Sequence, residues 1–254
     1  KMMEALPNLE IIAQFGVGYD NIDVETARDR HIAVTNTPDV LTDDTADTAL
    51  ALLMGVSRRV AEGDMYVRTG KWAHGPMGLG ASLSNKTVGI VGLGRIGSAI
   101  ATRCMAFNMK IVYHGRSPKP DVPYPFYADL VEMAGAVDYL VLACAGGEST
   151  RHLVDRRVLG AMKPKAFIIN ISRGSVIDQE TLVEFLVNRK IAGAGLDVFS
   201  HEPNVPDELK SLDTVVLTPH IGSATIETRT AMGRLVLDNL SAHFAGRPLL
   251  TPVL

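Results

Sequence analysis

The sequence predicts an α/β protein built on a doubly wound parallel sheet. Short runs rich in Val, Ile and Leu recur from Thr87 onward, at Thr87–Val91, Lys110–His114, 138–143, 166–170, 194–198 and 215–218. They lack polar alternation, as strands do when both faces of a parallel sheet are covered. Helical spacing at 96–107 and 179–188 separates some of these runs, and that alternation is the pattern of βαβ units.

The segment before Thr87 reads differently. Residues 10–15 make a short apolar run that ends at Gly16-Val-Gly-Tyr-Asp20, a strand followed by a tight loop. Residues 31–35 are a second short strand, closed by Asn36-Thr-Pro-Asp39. A long helix is then expected, capped at Thr42 or Asp43 and running toward Gly70-Lys-Trp72, with Ala46, Ala49, Leu50, Leu53, Val56 and Val60 on its buried face. Residues 75–80 follow as loop. At the far end, an amphipathic helix is expected from Thr225 to about Phe244, stopped by Gly246-Arg-Pro248.

Composition bounds the function. At 46% hydrophobic, 254 residues can bury one large core or two modest ones. A net charge of −3 with the signs interspersed argues against a nucleic-acid stripe or a membrane-binding face. The longest apolar stretch, 49–56, is too short to span a bilayer. The opening residues Lys1-Met-Met-Glu-Ala-Leu-Pro7 carry no secretory signal. Cys104 and Cys144 sit in apolar surroundings and read as buried thiols in a reducing compartment, so a cytoplasmic protein is expected. His31, His74, His114, His152 and His243 have no carboxylate or cysteine at metal-ligand spacing, and no metal site is predicted.

Val88-Gly-Ile-Val-Gly-Leu-Gly-Arg-Ile-Gly97 places its glycines between an expected strand and the mouth of a helix. That is the setting of the Rossmann dinucleotide fingerprint. Backbone amides at the helix start face a pyrophosphate, and no Cβ blocks its approach. Gly92, Gly94, Arg95, Ile96 and Gly97 form the candidate cradle. An NAD site usually carries an acid about 20 residues beyond such a loop, to bind the ribose hydroxyl. Here Arg116 stands in that place, with Ser117 and Lys119 beside it and no acid until Asp121. A guanidinium, a hydroxyl and an ammonium suit a 2′-phosphate. NADP, as NADPH, is therefore favoured, with NAD the alternative.

Three polar residues follow in order: Arg173 in Asn170-Ile-Ser-Arg-Gly174, Glu202 in Asp197-Val-Phe-Ser-His-Glu-Pro203, and His220 in Pro219-His-Ile-Gly222. They supply what reduction of a keto acid needs. A fixed guanidinium stabilises an oxygen on which charge develops. An imidazole titrates near neutral pH, and a neighbouring carboxylate favours its charged form. Such a group donates a proton in one direction and takes it in the other.

Together with Gly16-Val-Gly-Tyr-Asp-Asn-Ile-Asp23, these motifs span almost the whole chain. In order and spacing the chain resembles the D-isomer-specific 2-hydroxyacid dehydrogenases, in particular their glyoxylate/hydroxypyruvate reductase branch. The resemblance implies a split, flavodoxin-like substrate domain, residues 1–41 plus 222–254, around a dinucleotide-binding domain at 42–221, with hinges at the two crossings. It implies that Arg173 binds substrate carboxylate and carbonyl, that His220 is the proton donor, and that Glu202 pairs with it. It directs the Val17 and Gly18 amides to the substrate carboxylate and Asp197 to the nicotinamide carboxamide. The cofactor site it implies also takes in Cys144, Ala145, Thr150, Ile171, His220 and Gly222. A homodimer is expected through the long helix and the Trp72 loop, where Trp72 serves packing, an interface or the substrate pocket.

Family members begin with several strand–helix units that have no counterpart before Lys1, so the substrate domain is expected to be shortened and the chain to be a piece of a longer one. Two rivals share the fold: an NAD-linked dehydrogenase acting on another 2-hydroxy acid, and a nucleotide-sensing binding module without turnover.

Overall fold

The computed structural model describes residues 2–253. They form two compact units, one running to Asp44 and resuming at Ser223, the other Thr45–Gly222. The breaks thus fall at 44/45 and 222/223, against the expected 41/42 and 221/222.

The smaller unit opens with α1 (Met2–Ala5), β1 (Ile11–Ala13), α2 (Val24–Asp29) and β2 (Ala33–Thr35). The two strands pair in parallel, Ile11 opposite Ala33 and Ala13 opposite Thr35. Asp23 caps α2 by accepting from the Thr26 amide at 3.0 Å. Ala27 is the buried residue of that helix, so apolar periodicity does not announce it. Ala27, Ile32 and Val34 centre a small core.

Next come α3 (Thr42–Arg58) and α4 (Val60–Arg68) in place of the single long helix expected. Between them Arg59 adopts a left-handed backbone, φ 55°. Its guanidinium grips Glu62 through two hydrogen bonds of 2.5 and 2.6 Å. Ala46, Ala49, Leu50, Leu53 and Val56 are buried as read, but beyond the break Val60 turns outward and is 58% exposed.

The larger unit continues with β3 (Thr87–Val91), α5 (Arg95–Ala106), β4 (Lys110–His114), β5 (Phe126–Tyr127), α6 (Leu130–Ala136), β6 (Tyr139–Leu142), α7 (Arg156–Ala161), β7 (Phe167–Asn170), α8 (Gln179–Val187), β8 (Gly193–Leu196), α9 (Asp207–Lys210) and β9 (Val215–Leu217). The strands form one parallel sheet in the order β5-β4-β3-β6-β7-β8-β9. That is the doubly wound order, reversing between β3 and β6. Along β6, Leu140 and Leu142 enter one buried cluster while Tyr139 and Val141 enter the other. Both faces are covered, which is why the strands show no polar alternation.

The short helices α6 and α7 were not anticipated. They rest on side-chain caps, Asp129 accepting from the Val131 amide at 2.7 Å and Asp155 from the Arg157 and Val158 amides at 2.9 and 3.0 Å.

The chain returns to the smaller unit through α10 (Ile226–Phe244). Thr225 caps it by accepting from the Thr228 amide at 3.1 Å, so the helix starts one residue later than read. Near its end the buried Asn239 side chain accepts from the Leu250 and Thr251 amides at 3.0 and 3.2 Å and donates to Leu235 O and Thr251 Oγ1.

Candidate active site

In the larger unit the flagged residues sit where strands end. The glycine loop follows β3, Arg116, Ser117 and Lys119 follow β4, and Cys144, Ala145 and Thr150 follow β6. Ile171 and Arg173 follow β7, Asp197 and Glu202 follow β8, and His220 and Gly222 follow β9. Because the strands are parallel, all of these lie at one edge of the sheet, the edge at which doubly wound folds bind ligands.

The glycine loop is built by close approach. Gly92 has φ 90°, and a Cβ on it would lie 2.6 Å from Cys144 Cα. A Cβ on Gly97 would strike the Gly92 carbonyl oxygen. Gly94 differs: it is the N-cap of α5, no side chain caps the helix there, and a Cβ would meet nothing within 4 Å. The start of this 12-residue helix thus has no side-chain cap and has room beside its N-cap glycine, which fits the pyrophosphate of a dinucleotide. Lys119 ties the β4 exit to this loop. Its ammonium donates to Leu93 O at 2.5 Å, and its amide donates to the Tyr113 hydroxyl at 2.7 Å. Arg116 and Ser117 are exposed alongside.

Beyond β6, Thr150 Oγ1 donates to Ala145 O at 2.8 Å and closes the loop on itself. The Ser172 hydroxyl donates to Cys144 O. Burial pushes the Cys144 thiol up, opposed by its contact with Ser172. A neutral, half-buried thiol is suited to lining a site and poorly suited to nucleophilic attack.

Arg173 is half-buried and precedes a short turn, Gly174–Val176. The Asn170 side-chain amide donates to Arg173 O at 3.0 Å, and Arg173 Nη1 donates to Ser172 O at 2.9 Å. A Cβ on Gly174 would collide with the backbone of Phe199 and Ser200, so glycine is what lets this turn pass the β8 loop.

Glu202 and His220 are brought together. Glu202 Oε2 lies 2.8 Å from His220 Nδ1, while Glu202 Oε1 accepts from the Phe199 amide at 3.0 Å. Orienting the carboxylate at both oxygens leaves the imidazole Nε2 as the ring nitrogen that faces away from it. His220 itself is left-handed, φ 53°.

Asp197 is 1% exposed. Its Oδ1 accepts from Thr218 Oγ1 at 2.6 Å and the Ile221 amide at 2.8 Å, and its Oδ2 accepts from the Gly222 amide at 2.8 Å. Thr218, Asn170 and Ser172 therefore belong to the scaffold of the site, although sequence reading passed over them. Asn170 and Ser172 lie inside the motif that carries Arg173 and Thr218 adjoins the one that carries His220, and that placement is the one signal the sequence holds for them. Val17 and Gly18 follow β1 in the smaller unit.

Among the described residues no group of three or more His, Cys, Asp or Glu is arranged to hold a metal ion. No helix among them is long and apolar enough to cross a membrane.

A doubly wound sheet that gathers an uncapped, glycine-lined helix start and an imidazole–carboxylate pair at one edge defines a nicotinamide-dependent oxidoreductase. The chain belongs to the D-isomer specific 2-hydroxyacid dehydrogenases, whose NAD binding domain matches residues 50–222. It is 51% identical over 253 residues to glyoxylate/hydroxypyruvate reductase A of Arabidopsis thaliana, covering 100% of this chain and 81% of that one. It is 46% identical over 254 residues to 2-ketogluconate reductase of Gluconobacter oxydans, covering 100% and 82%. Among solved structures, it resembles an NADPH-dependent glyoxylate/hydroxypyruvate reductase from Sinorhizobium meliloti in complex with NADP and malonate. The TM-score is 0.96 at 49% identity, covering 99% of this chain and 80% of that one.

Proposed function

We propose that the protein is an NADPH-dependent reductase of small 2-keto acids, with glyoxylate and hydroxypyruvate as its substrates. The observation that carries this is the 2.8 Å pairing of His220 with Glu202 at the sheet edge that also holds the uncapped start of α5. The substrates named for its relatives, glyoxylate and hydroxypyruvate in one case and 2-ketogluconate in another, are all 2-keto acids.

With Nδ1 engaged by Glu202, His220 gives its proton to the substrate carbonyl oxygen from Nε2. Arg173 holds the substrate carboxylate and the carbonyl oxygen, stabilising charge as it grows there. The Val17 and Gly18 amides receive the carboxylate. Asp197 keeps the His220 turn in place and is the residue assigned to the nicotinamide carboxamide. Gly92, Gly94, Arg95, Ile96 and Gly97 cradle the pyrophosphate, and Cys144, Ala145, Thr150, Ile171 and Gly222 line the remainder of the cofactor site. Bound NADPH supplies the hydride. Arg116, Ser117 and Lys119 hold its 2′-phosphate through charge-assisted hydrogen bonds of about 1.5–3 kcal/mol each.

The same reading makes the protein a cytoplasmic homodimer without nucleic-acid or membrane partners. The interface proposed is α4 with the Trp72 loop, where Val60, Met65, Val67 and Trp72 are all more than half exposed, a density of apolar side chains that marks contact surfaces.

The test is loss of reduced-cofactor absorbance with hydroxypyruvate, NADPH against NADH, on the wild-type chain and on Arg116→Asp. Faster turnover with NADPH, shifting toward NADH in the variant, is the expected result. Equal use of both cofactors by both proteins removes Arg116 from the phosphate site. Tight NADPH binding with no turnover replaces the reductase with a nucleotide sensor.

A further inference from the structure

In the loop after β1 three consecutive carbonyls are each taken by a donor. The Thr37 amide donates to Gly16 O at 2.9 Å. The Asn36 side chain donates from Nδ2 to Val17 O at 2.8 Å, and the Gln14 side chain donates from Nε2 to Gly18 O at 3.1 Å. The peptides concerned are trans. In a planar trans peptide the N–H points opposite to the C=O. Anchoring Gly16 O, Val17 O and Gly18 O therefore turns the N–H groups of Val17, Gly18 and Tyr19 away from those donors. Glycine at 16 and 18 would otherwise make peptide rotation here cheap.

Asn36 is itself held in place. Its carbonyl oxygen accepts from Thr251 Oγ1 at 2.6 Å, and its amide donates to Thr251 O at 3.3 Å. Thr251 in turn rests on the fully buried Asn239. The donor that orients the Val17–Gly18 peptide thus stands on a platform that reaches α10, within the same unit.

We infer that Asn36 and Gln14 are positioning residues for the substrate. Asn36 presets the Gly18 N–H, and Gln14 presets the Tyr19 N–H as a further donor, so the loop meets a carboxylate with its donors already aligned. The gain is preorganisation: the loop does not have to reorder its peptides when the anion arrives. This rests on the reading that the Val17–Gly18 loop receives the substrate carboxylate.

The experiment is steady-state kinetics of the full chain with NADPH and glyoxylate. Asn36→Asp is near-isosteric, loses the donor and sets an oxygen against Val17 O. It is expected to raise the KM for glyoxylate about tenfold, as for one misaligned charge-assisted hydrogen bond, with kcat and the KM for NADPH within about twofold of wild type. Gln14→Ala is expected to move the same constant by a smaller factor. Gly18→Pro, which deletes the Gly18 N–H outright, reports on the loop itself. If Gly18→Pro raises the glyoxylate KM and the Asn36 and Gln14 variants do not, the loop reading stands and the positioning role is overturned. If none of the three moves it, the carboxylate binds elsewhere and both fall. A lowered kcat at unchanged KM in Asn36→Asp makes Asn36 a structural residue only, and also overturns the inference.

Discussion

The backbone amide of His220 donates to the carbonyl of Asp197 at 2.9 Å, and the Asp197 carboxylate holds the amides of the next two residues. His220 has φ 53°, a backbone region that costs a non-glycine residue on the order of 1 kcal/mol. Asp197 offsets that strain from four sides, counting its bond from Thr218. In Asp197→Asn a side-chain NH2 must face one of these backbone donors, leaving a buried N–H unmatched at about 1–3 kcal/mol. The expected outcome is a kcat lowered by about one to two orders of magnitude together with a lower Tm. Kinetics and thermal unfolding check it, and an unchanged kcat would show that the turn holds without the carboxylate.

His220 and Glu202 act as one unit, and their variants should not add. Removing a general acid lowers rates by about 10²- to 10⁴-fold, and His220→Gln is expected in that range. Glu202→Gln keeps an acceptor for the Phe199 amide but replaces the anion beside Nδ1, and a smaller loss is expected. Since Glu202 works only through the imidazole, the double variant should be no slower than His220→Gln alone. A double variant slower by the product of the two losses would place Glu202 in a separate role.

Much of this was readable because the relevant signals are local. The strands announce themselves by unbroken Val, Ile and Leu runs, and Gly92, Gly94 and Gly97 by standing between a strand and a helix. The helix break at Arg59 carries no such mark: it comes from a left-handed backbone and a grip on Glu62, inside a stretch whose composition stays helical. Helices α6 and α7 are too short for periodicity and depend on the caps Asp129 and Asp155. Asp197 was legible as a cofactor residue in the 194–198 run but not as the holder of the His220 turn, because the 218–222 donors it accepts from are distant in sequence. Asn36 reads as a turn former, because the carbonyl it fixes lies 19 residues away.

Two glycines in the cofactor loop should separate folding from binding. Gly97→Ala drives a Cβ into the Gly92 carbonyl, so the start of α5 must shift. A lower Tm and weaker NADPH binding are both expected. Gly94→Ala meets nothing within 4 Å, so its Tm should stay near wild type. Its Cβ nevertheless occupies the space before the helix start, and NADPH affinity should fall by about tenfold or more. Fluorescence titration with NADPH beside thermal unfolding distinguishes the two. Undiminished affinity in Gly94→Ala would move the pyrophosphate away from this helix.

The two thiols should differ in reactivity. Cys104 lies fully buried on α5, and burial pushes its pKa up to about 12. At pH 8 its thiolate fraction is then about 10⁻⁴, and alkylation by iodoacetamide should require unfolding. Cys144 is half-buried and its thiol is also raised by burial, so it should react slowly in the native protein. Its backbone abuts Gly92 in the glycine loop, and NADPH should therefore slow its alkylation further. Mass spectrometry of native protein, with and without NADPH, against protein in denaturant reads out both sites. Rapid native alkylation of Cys104 would contradict its burial, and an unchanged rate at Cys144 with NADPH would place the cofactor away from the β6 loop.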